Sequence, residues 1–180
     1  MNNPQLFAVS AADVALTTDD WYTPRWLFDA AGLVFDLDVA APVDPAYRTC
    51  PARAYLTPVE DGLTGKWRGT VWMNPPYSKA TPWVHRWAVH PHGLALLPAM
   101  PEVLWLGVLL RAADAIALLH VQFNAPGAGT ARLGGSKARL RWPLILAARG
   151  DECVAGLARV AAADKYANGA YHVKVRKEPA

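Results

Sequence analysis

Asn74, Pro75, Pro76 and Tyr77 stand directly behind the apolar run Thr70-Val71-Trp72-Met73, and residues of these types in this order suit the handling of an amine. The nitrogen of an exocyclic base amine or an amide is a weak nucleophile, because its lone pair is delocalised into the adjacent π system. The Asn74 side-chain oxygen and the Pro75 carbonyl can each accept a hydrogen bond from such an NH₂ group. Accepting both protons draws the nitrogen toward sp³ geometry and pushes its lone pair at an electrophile. Tyr77 offers a flat face for a base, a contact that contributes roughly 1–3 kcal/mol in nucleic-acid systems. Positioning and dipoles, rather than a strong base, would then lower the barrier. The plainer reading of the same residues is a polyproline-type turn carrying a surface tyrosine.

Elements must hold these groups still. Thr70 to Met73 is short, β-branched and aromatic, the pattern of a buried strand. Two successive prolines can neither extend a ladder nor open a helix at once, so the chain must turn there. The turn falls at the carboxyl end of a strand, where open α/β sheets place their ligands. Before it, Thr23 as N-cap and Pro24 at the first helical position open a helix of about two turns that Gly32 stops. Leu33 to Val39 reads as the first core strand, and Pro42 to Pro58 as irregular chain. After it, Thr81-Pro82 caps a helix reaching about His90. Leu94–Leu97 is a strand, Glu102–Ala112 a helix, and Ala115–Phe123 a strand or bent pair. Residues 125–136 form a glycine-rich loop. Leu144–Ala148 is a strand, Asp151–Ala163 a helix, and Tyr171–Val175 an edge strand. Alternation of this kind predicts an α/β domain with a mostly parallel sheet and helices on both faces. Residues 1–18 read as a flexible arm, and 19–180 as one compact domain.

Several segments occur here in the order seen in a known family. They are Asp20-Trp21-Tyr22-Thr23-Pro24, Phe35-Asp36-Leu37-Asp38-Val39-Ala40-Ala41, Asp61-Gly62-Leu63, Trp67, and Trp72-Met73-Asn74-Pro75-Pro76-Tyr77-Ser78. With them the chain resembles the phage-type DNA N-6-adenine methyltransferases (Dam-like) from about Asp19 to Gly150. The resemblance implies a Rossmann-like methyltransferase fold, S-adenosyl-L-methionine as cofactor and methyl transfer to the N6 amine of adenine in DNA. It further implies Asn74, Pro75, Pro76 and Tyr77 as the catalytic element, acting without a metal, and a phage or prophage origin.

For the cofactor, period-two alternation would put Asp36 and Asp38 on one side of a strand. A carboxylate at the position of Asp38 could accept from an ammonium group or offset a sulfonium charge. Its plainer role is to cap a turn. Related enzymes continue with a glycine-rich loop, where this chain has Val39-Ala40-Ala41-Pro42-Val43-Asp44. The resemblance also assigns Thr23, Pro24, Ala40, Asp61 and Asn74 to the cofactor's surroundings, although Asp61 before Gly62 equally suits an Asx turn. The chain departs from the family pattern at Met100-Pro101-Glu102 and Leu119-His120-Val121-Gln122-Phe123, where polar groups are usual.

Charge is unevenly spread along the 180 residues. The first 61 hold three basic residues against nine acidic ones, the remainder fifteen against six. Between Asp114 and Asp151 no acid occurs, yet Arg132, Lys137, Arg139, Arg141 and Arg149 do. A basic half suggests a polyanionic partner. Residues 124–142, with Arg132, Lys137, Arg139 and Arg141, are the candidate DNA-contacting loop. Adenine would have to be flipped from the duplex, at a cost of a few kcal/mol.

With 53 % apolar and 18 % charged residues the chain is not a disordered one. Cys50 and Cys153 have no metal-ligand spacing and make no disulfide framework, which fits a reducing cytoplasm. No signal-peptide layout opens the chain, and the apolar stretch from Gly93 to Leu110 is interrupted by Pro98, Pro101 and Glu102, so no membrane span is expected. Two rival readings stand beside the first. One is the same chemistry on RNA or a protein glutamine; the other is a non-catalytic DNA-binding protein that keeps the fold. Oligomeric state and target sequence have no signature in these residues.

Overall fold

The computed structural model describes residues 22–123, 138–139, 143–164 and 172–174. Six strands form one sheet: β1 (Leu37–Asp38), β2 (Val71–Met73), β3 (Gly93–Pro98), β4 (Ala115–Leu119), β7 (Leu144–Arg149) and β8 (His172–Lys174). Two short strands, β5 (Gln122–Phe123) and β6 (Ala138–Arg139), pair separately. The order across the large sheet is β1-β2-β3-β7-β4-β8. β1, β2 and β3 run parallel, whereas β7 is antiparallel to both of its neighbours and β8 is antiparallel to β4. The sheet is therefore mixed, and the expected mostly parallel pairing holds only over its first half. Insertion of β7 between β3 and β4 is the reason: those two strands share a direction but do not touch.

Among the described residues, four helices cover the sheet: α1 (Arg25–Ala31), α2 (Ala80–Val89), α3 (Leu104–Ala112) and α4 (Asp151–Ala163). Residues of α1 and α4 (Leu27, Phe28, Leu157, Val160) join Trp72, Leu94, Leu96 and Leu146 in one core. Residues of α2 and α3 (Trp83, Trp87, Trp105, Leu109) join Val71, Met73, Ala95 and Leu97 in the other. Alternate residues of β2 and β3 thus point to opposite cores, as the pleat requires. All six residues of β3 are buried, the signature of a strand covered on both faces.

The helices lie close to where the sequence places them. α1 ends at Gly32, whose left-handed backbone (φ 60°) lets its N–H return to the Phe28 carbonyl. Its start differs: Pro24 is the N-cap, and no side chain caps the helix. Thr81 likewise lies inside α2 and caps nothing.

The first strand departs furthest from expectation. Phe35 belongs to the α1/α4 core, while Leu37 and Val39 belong to the α2/α3 core. Alternation slips at Asp36, where the Thr70 carbonyl accepts from both Asp36 N (2.8 Å) and Leu37 N (3.4 Å). Two residues facing one is a bulge, and it shortens the regular strand to Leu37–Asp38.

Candidate active site

β2 delivers Asn74 to the carboxyl end of the sheet, and Pro75 and Pro76 turn the chain into a single 3₁₀ turn (Tyr77–Lys79) that leads into α2. Pro75 also confines the Asn74 backbone to extended conformations. The half-buried Asn74 side chain is held from across the molecule: its Nδ2 donates to Thr23 Oγ1 at 3.2 Å. Thr23 is itself buried, and its carbonyl accepts from Thr49 Oγ1 at 2.7 Å. The Thr23 hydroxyl, expected to cap α1, instead binds the side chain of the Asn-Pro-Pro-Tyr turn.

Tyr77 packs edge-on to Phe123, with ring centroids 6.4 Å apart. Its hydroxyl is buried and has no hydrogen-bond partner among the described residues. Burial pushes its acidity well below that of a free phenol. This group stays protonated, so it can offer an aromatic surface and a donor but not a base.

Asp38 closes β1 at the same end of the sheet, since β1 and β2 are parallel and Asp38 pairs with Trp72. Its side chain is 4 % exposed, and Oδ1 accepts from the Ala40 amide at 3.1 Å. Burial raises its pKa to about 7, against the opposing pulls of the Ala40 amide and the nearby Arg48 charge. Arg48 is fixed by donating to the Pro42 carbonyl (3.0 Å) and the Val43 carbonyl (3.0 Å). A buried carboxylate with one backbone donor is a site that a cationic group would satisfy.

Asp36 does not join Asp38, and the expectation that they share one side of the strand is corrected by the bulge. Asp36 lies at the amino end of the sheet, where it accepts from the Thr70 amide at 2.8 Å and pairs with Arg53. The Thr70 hydrogen bond, then Arg53, hold its pKa below the usual carboxylate value.

Asp61 adopts a left-handed backbone (φ 53°), and its Oδ1 accepts from Leu63 N at 3.0 Å, the Asx turn that its place before glycine allows. Gly62 presses this turn onto β1: a Cβ there would lie 1.9 Å from the Val39 carbonyl oxygen and 2.5 Å from the Trp83 ring. The Asp61 turn is thus seated directly beside the Asp38–Ala40 turn. Arg86 donates to the Leu63 and Gly65 carbonyls and lies over the Trp67 ring, whose Nε1 donates to the Gly62 carbonyl at 2.8 Å. Trp67 in turn stacks on Trp83.

Of the residues expected at the site, the structure brings together Thr23, Pro24, Asp38, Ala40 and the Asn74–Tyr77 turn, with Asp61 on an adjoining loop. Thr49, Arg48 and Arg86, which brace them, carry no local signal in the sequence, because each acts on chain remote from it or on bare carbonyls. Arg132, Lys137 and Arg141 lie outside the described residues; Arg139 falls in β6, opposite Gln122. Among the described residues no group of three or more His, Cys, Asp or Glu could hold a metal ion. No described helix is long and apolar enough to cross a membrane. Both cysteines are buried free thiols.

Comparison with known proteins adds to this geometry. The sequence profile of the family described as "DNA N-6-adenine-methyltransferase (Dam)" matches residues 12–153. A 73-residue stretch is 38 % identical to the DNA N-6-adenine-methyltransferase of Haemophilus phage HP1 (strain HP1c1), covering 38 % of this chain and 40 % of that protein. The chain thus matches less than half the length of this curated relative. No solved structure matches the chain.

Proposed function

Because the chain belongs to the DNA N-6-adenine-methyltransferase (Dam) family, we propose that it transfers a methyl group from S-adenosyl-L-methionine to the N6 amine of adenine in DNA. The observation that carries the reading is the juxtaposition of two unlike groups at the carboxyl ends of β1 and β2: the Asn74 amide, held by Thr23, and the buried Asp38 carboxylate. One suits a neutral amine and the other a cation. On this reading the domain is a Rossmann-like methyltransferase whose sheet bears its site where parallel strands end.

The bound cofactor supplies an electrophilic methyl group on a sulfonium sulfur. Asp38 would face its positive charge, with Ala40, Pro24 and the Asp61 turn as the surrounding wall. Asn74 Oδ1 and the Pro75 carbonyl would accept the two protons of the adenine amine and direct its lone pair. Tyr77 would offer its ring to the extruded base, and Pro76 keeps that ring close behind Asn74. No residue of this set has to act as a strong base, since the methylated amine can shed its proton to water. The basic residues of 124–142 are the proposed contact to the DNA backbone. Such a protein would work in the bacterial cytoplasm, where a phage or prophage product meets DNA.

The test is mass spectrometry of nucleosides from unmethylated DNA incubated with the protein and S-adenosyl-L-methionine. N6-methyladenine is expected with the wild type, and Asn74→Ala should reduce it by about a hundredfold or more. Wild-type protein that binds the cofactor yet leaves DNA unmethylated would overturn the DNA reading.

A further inference from the structure

We infer that Thr23 is a positioning residue for Asn74: its hydroxyl, by taking the Nδ2 end of the amide, fixes which way the amide faces the substrate amine. The inference rests on the reading of Asn74 given above and gives Thr23 a task other than lining a cofactor pocket. An asparagine amide has two ends of nearly equal size, and only the oxygen end can accept from an NH₂ group. If the side chain turned over, the site would present donors to donors. The Asn74 backbone is already confined by Pro75, so the side-chain torsions are the freedom that remains.

Thr23 removes that freedom. Its Oγ1 receives Nδ2 at 3.2 Å, its own place is secured by Thr49 Oγ1 on the Thr23 carbonyl at 2.7 Å, and it is only 3 % exposed. The hydroxyl is not spent on the helix it precedes, since α1 has no side-chain cap. Fifty-one positions separate the partners, so the contact joins two segments that meet only in the folded molecule. A threonine at this point is more than a spacer: valine would fill nearly the same volume and leave the amide with no acceptor there.

Three variants of Thr23 test this. Thr23→Val and Thr23→Ala should each lower the single-turnover methylation rate roughly tenfold to a hundredfold, with the dissociation constant for S-adenosyl-L-methionine and the KM for DNA within about twofold of wild type. Thr23→Ser, which restores the hydroxyl, should recover most of the rate. In nitrogen-resolved NMR, the Asn74 side-chain NH₂ pair, identified by its loss in Asn74→Ala, should shift and exchange faster in Thr23→Val. Thr23→Val with unchanged rate and unchanged amide signals would overturn the inference while leaving Asn74 in its role. A Thr23→Val that binds cofactor more weakly but turns over normally would also overturn it, making Thr23 a cofactor contact. If wild-type protein produces no N6-methyladenine, the reading of Asn74 falls and the positioning role falls with it.

Discussion

For Asp38 the deciding effect is solvation. Its carboxyl is buried, one backbone amide supports it, and its pKa rises to about 7. A group whose folded pKa lies above its unfolded value binds extra protons in the folded state. Its contribution to stability therefore falls as pH rises from the ordinary carboxylate range toward about 7. Arrival of a cationic cofactor reverses the balance, because a nearby positive charge favours the ionised form. Binding should then expel a proton over the pH range between the lowered pKa of the complex and about 7. Affinity for S-adenosyl-L-methionine is expected to rise by up to tenfold per pH unit up to that point and to level off above it. Calorimetry in two buffers of different ionisation enthalpy measures the proton release directly. Asp38→Asn should flatten the profile and weaken binding at pH 8 by about tenfold or more; a flat wild-type profile would remove Asp38 from the cofactor site. Asp36, two residues away, should show no such linkage, since Thr70 and Arg53 already hold it ionised.

At the scale of elements, the 61–67 loop is seated by contact rather than by hydrogen bonds to β1. Gly62 lies so close to Val39 and Trp83 that any side chain must push the loop away. Gly62→Ala is expected to destabilise the fold by roughly 1–3 kcal/mol and to weaken cofactor binding in the same measure as Asp61 is displaced. Gly107 is the internal control. It lies within α3, where a Cβ would meet only the flexible end of Arg111, so Gly107→Ala should stabilise by roughly 0.5–1 kcal/mol. Thermal denaturation and cofactor titration of both variants check the pair. What was legible in the sequence follows the range of the forces involved. α4 and the Gly32 stop could be read because apolar spacing and cap chemistry are local. The Asn-Pro-Pro-Tyr turn could be read because two prolines leave the chain few alternatives. The N-cap expected of Thr23 fails because that reading is also local: a Thr-Pro pair looks like a helix start, and Asn74, which takes up the hydroxyl, lies too far along the chain to enter it. Nor could alternation along residues 33–39 reveal the bulge at Asp36, which exists only through the shared Thr70 carbonyl. The place of β7 between β3 and β4 is equally non-local, and an apolar run carries no mark of its partner's direction.

Over the whole molecule, the basic excess after residue 61 divides into two kinds of charge. Arg86, Arg149 and Arg159 are turned toward backbone carbonyls: Arg86 to Leu63 and Gly65, Arg149 to Trp87, Ala88 and His90, Arg159 to Ala31. These three tie α2 to the 61–67 loop, β7 to the end of α2, and α4 to the end of α1. Their charge is largely committed to the fold, so sequence counting overstates what is left for a polyanion. Arg139 differs in position: it lies in β6, within the basic segment 124–142, and β6 forms no part of the large sheet, so it is expected to belong to the DNA-facing kind. The two kinds should separate in a salt titration of DNA binding. Each lost phosphate contact lowers the slope of log affinity against log salt by about one. Arg139→Gln is expected to lower that slope by about one while leaving the melting temperature near that of wild type. Arg149→Gln should do the reverse, costing roughly 1–3 kcal/mol of stability through the Ala88 and His90 carbonyls it leaves without this donor, with the slope unchanged. If both variants moved the slope alike, the division would fail, and the basic half would act as one diffuse field instead of a fold-binding set and a DNA-facing set.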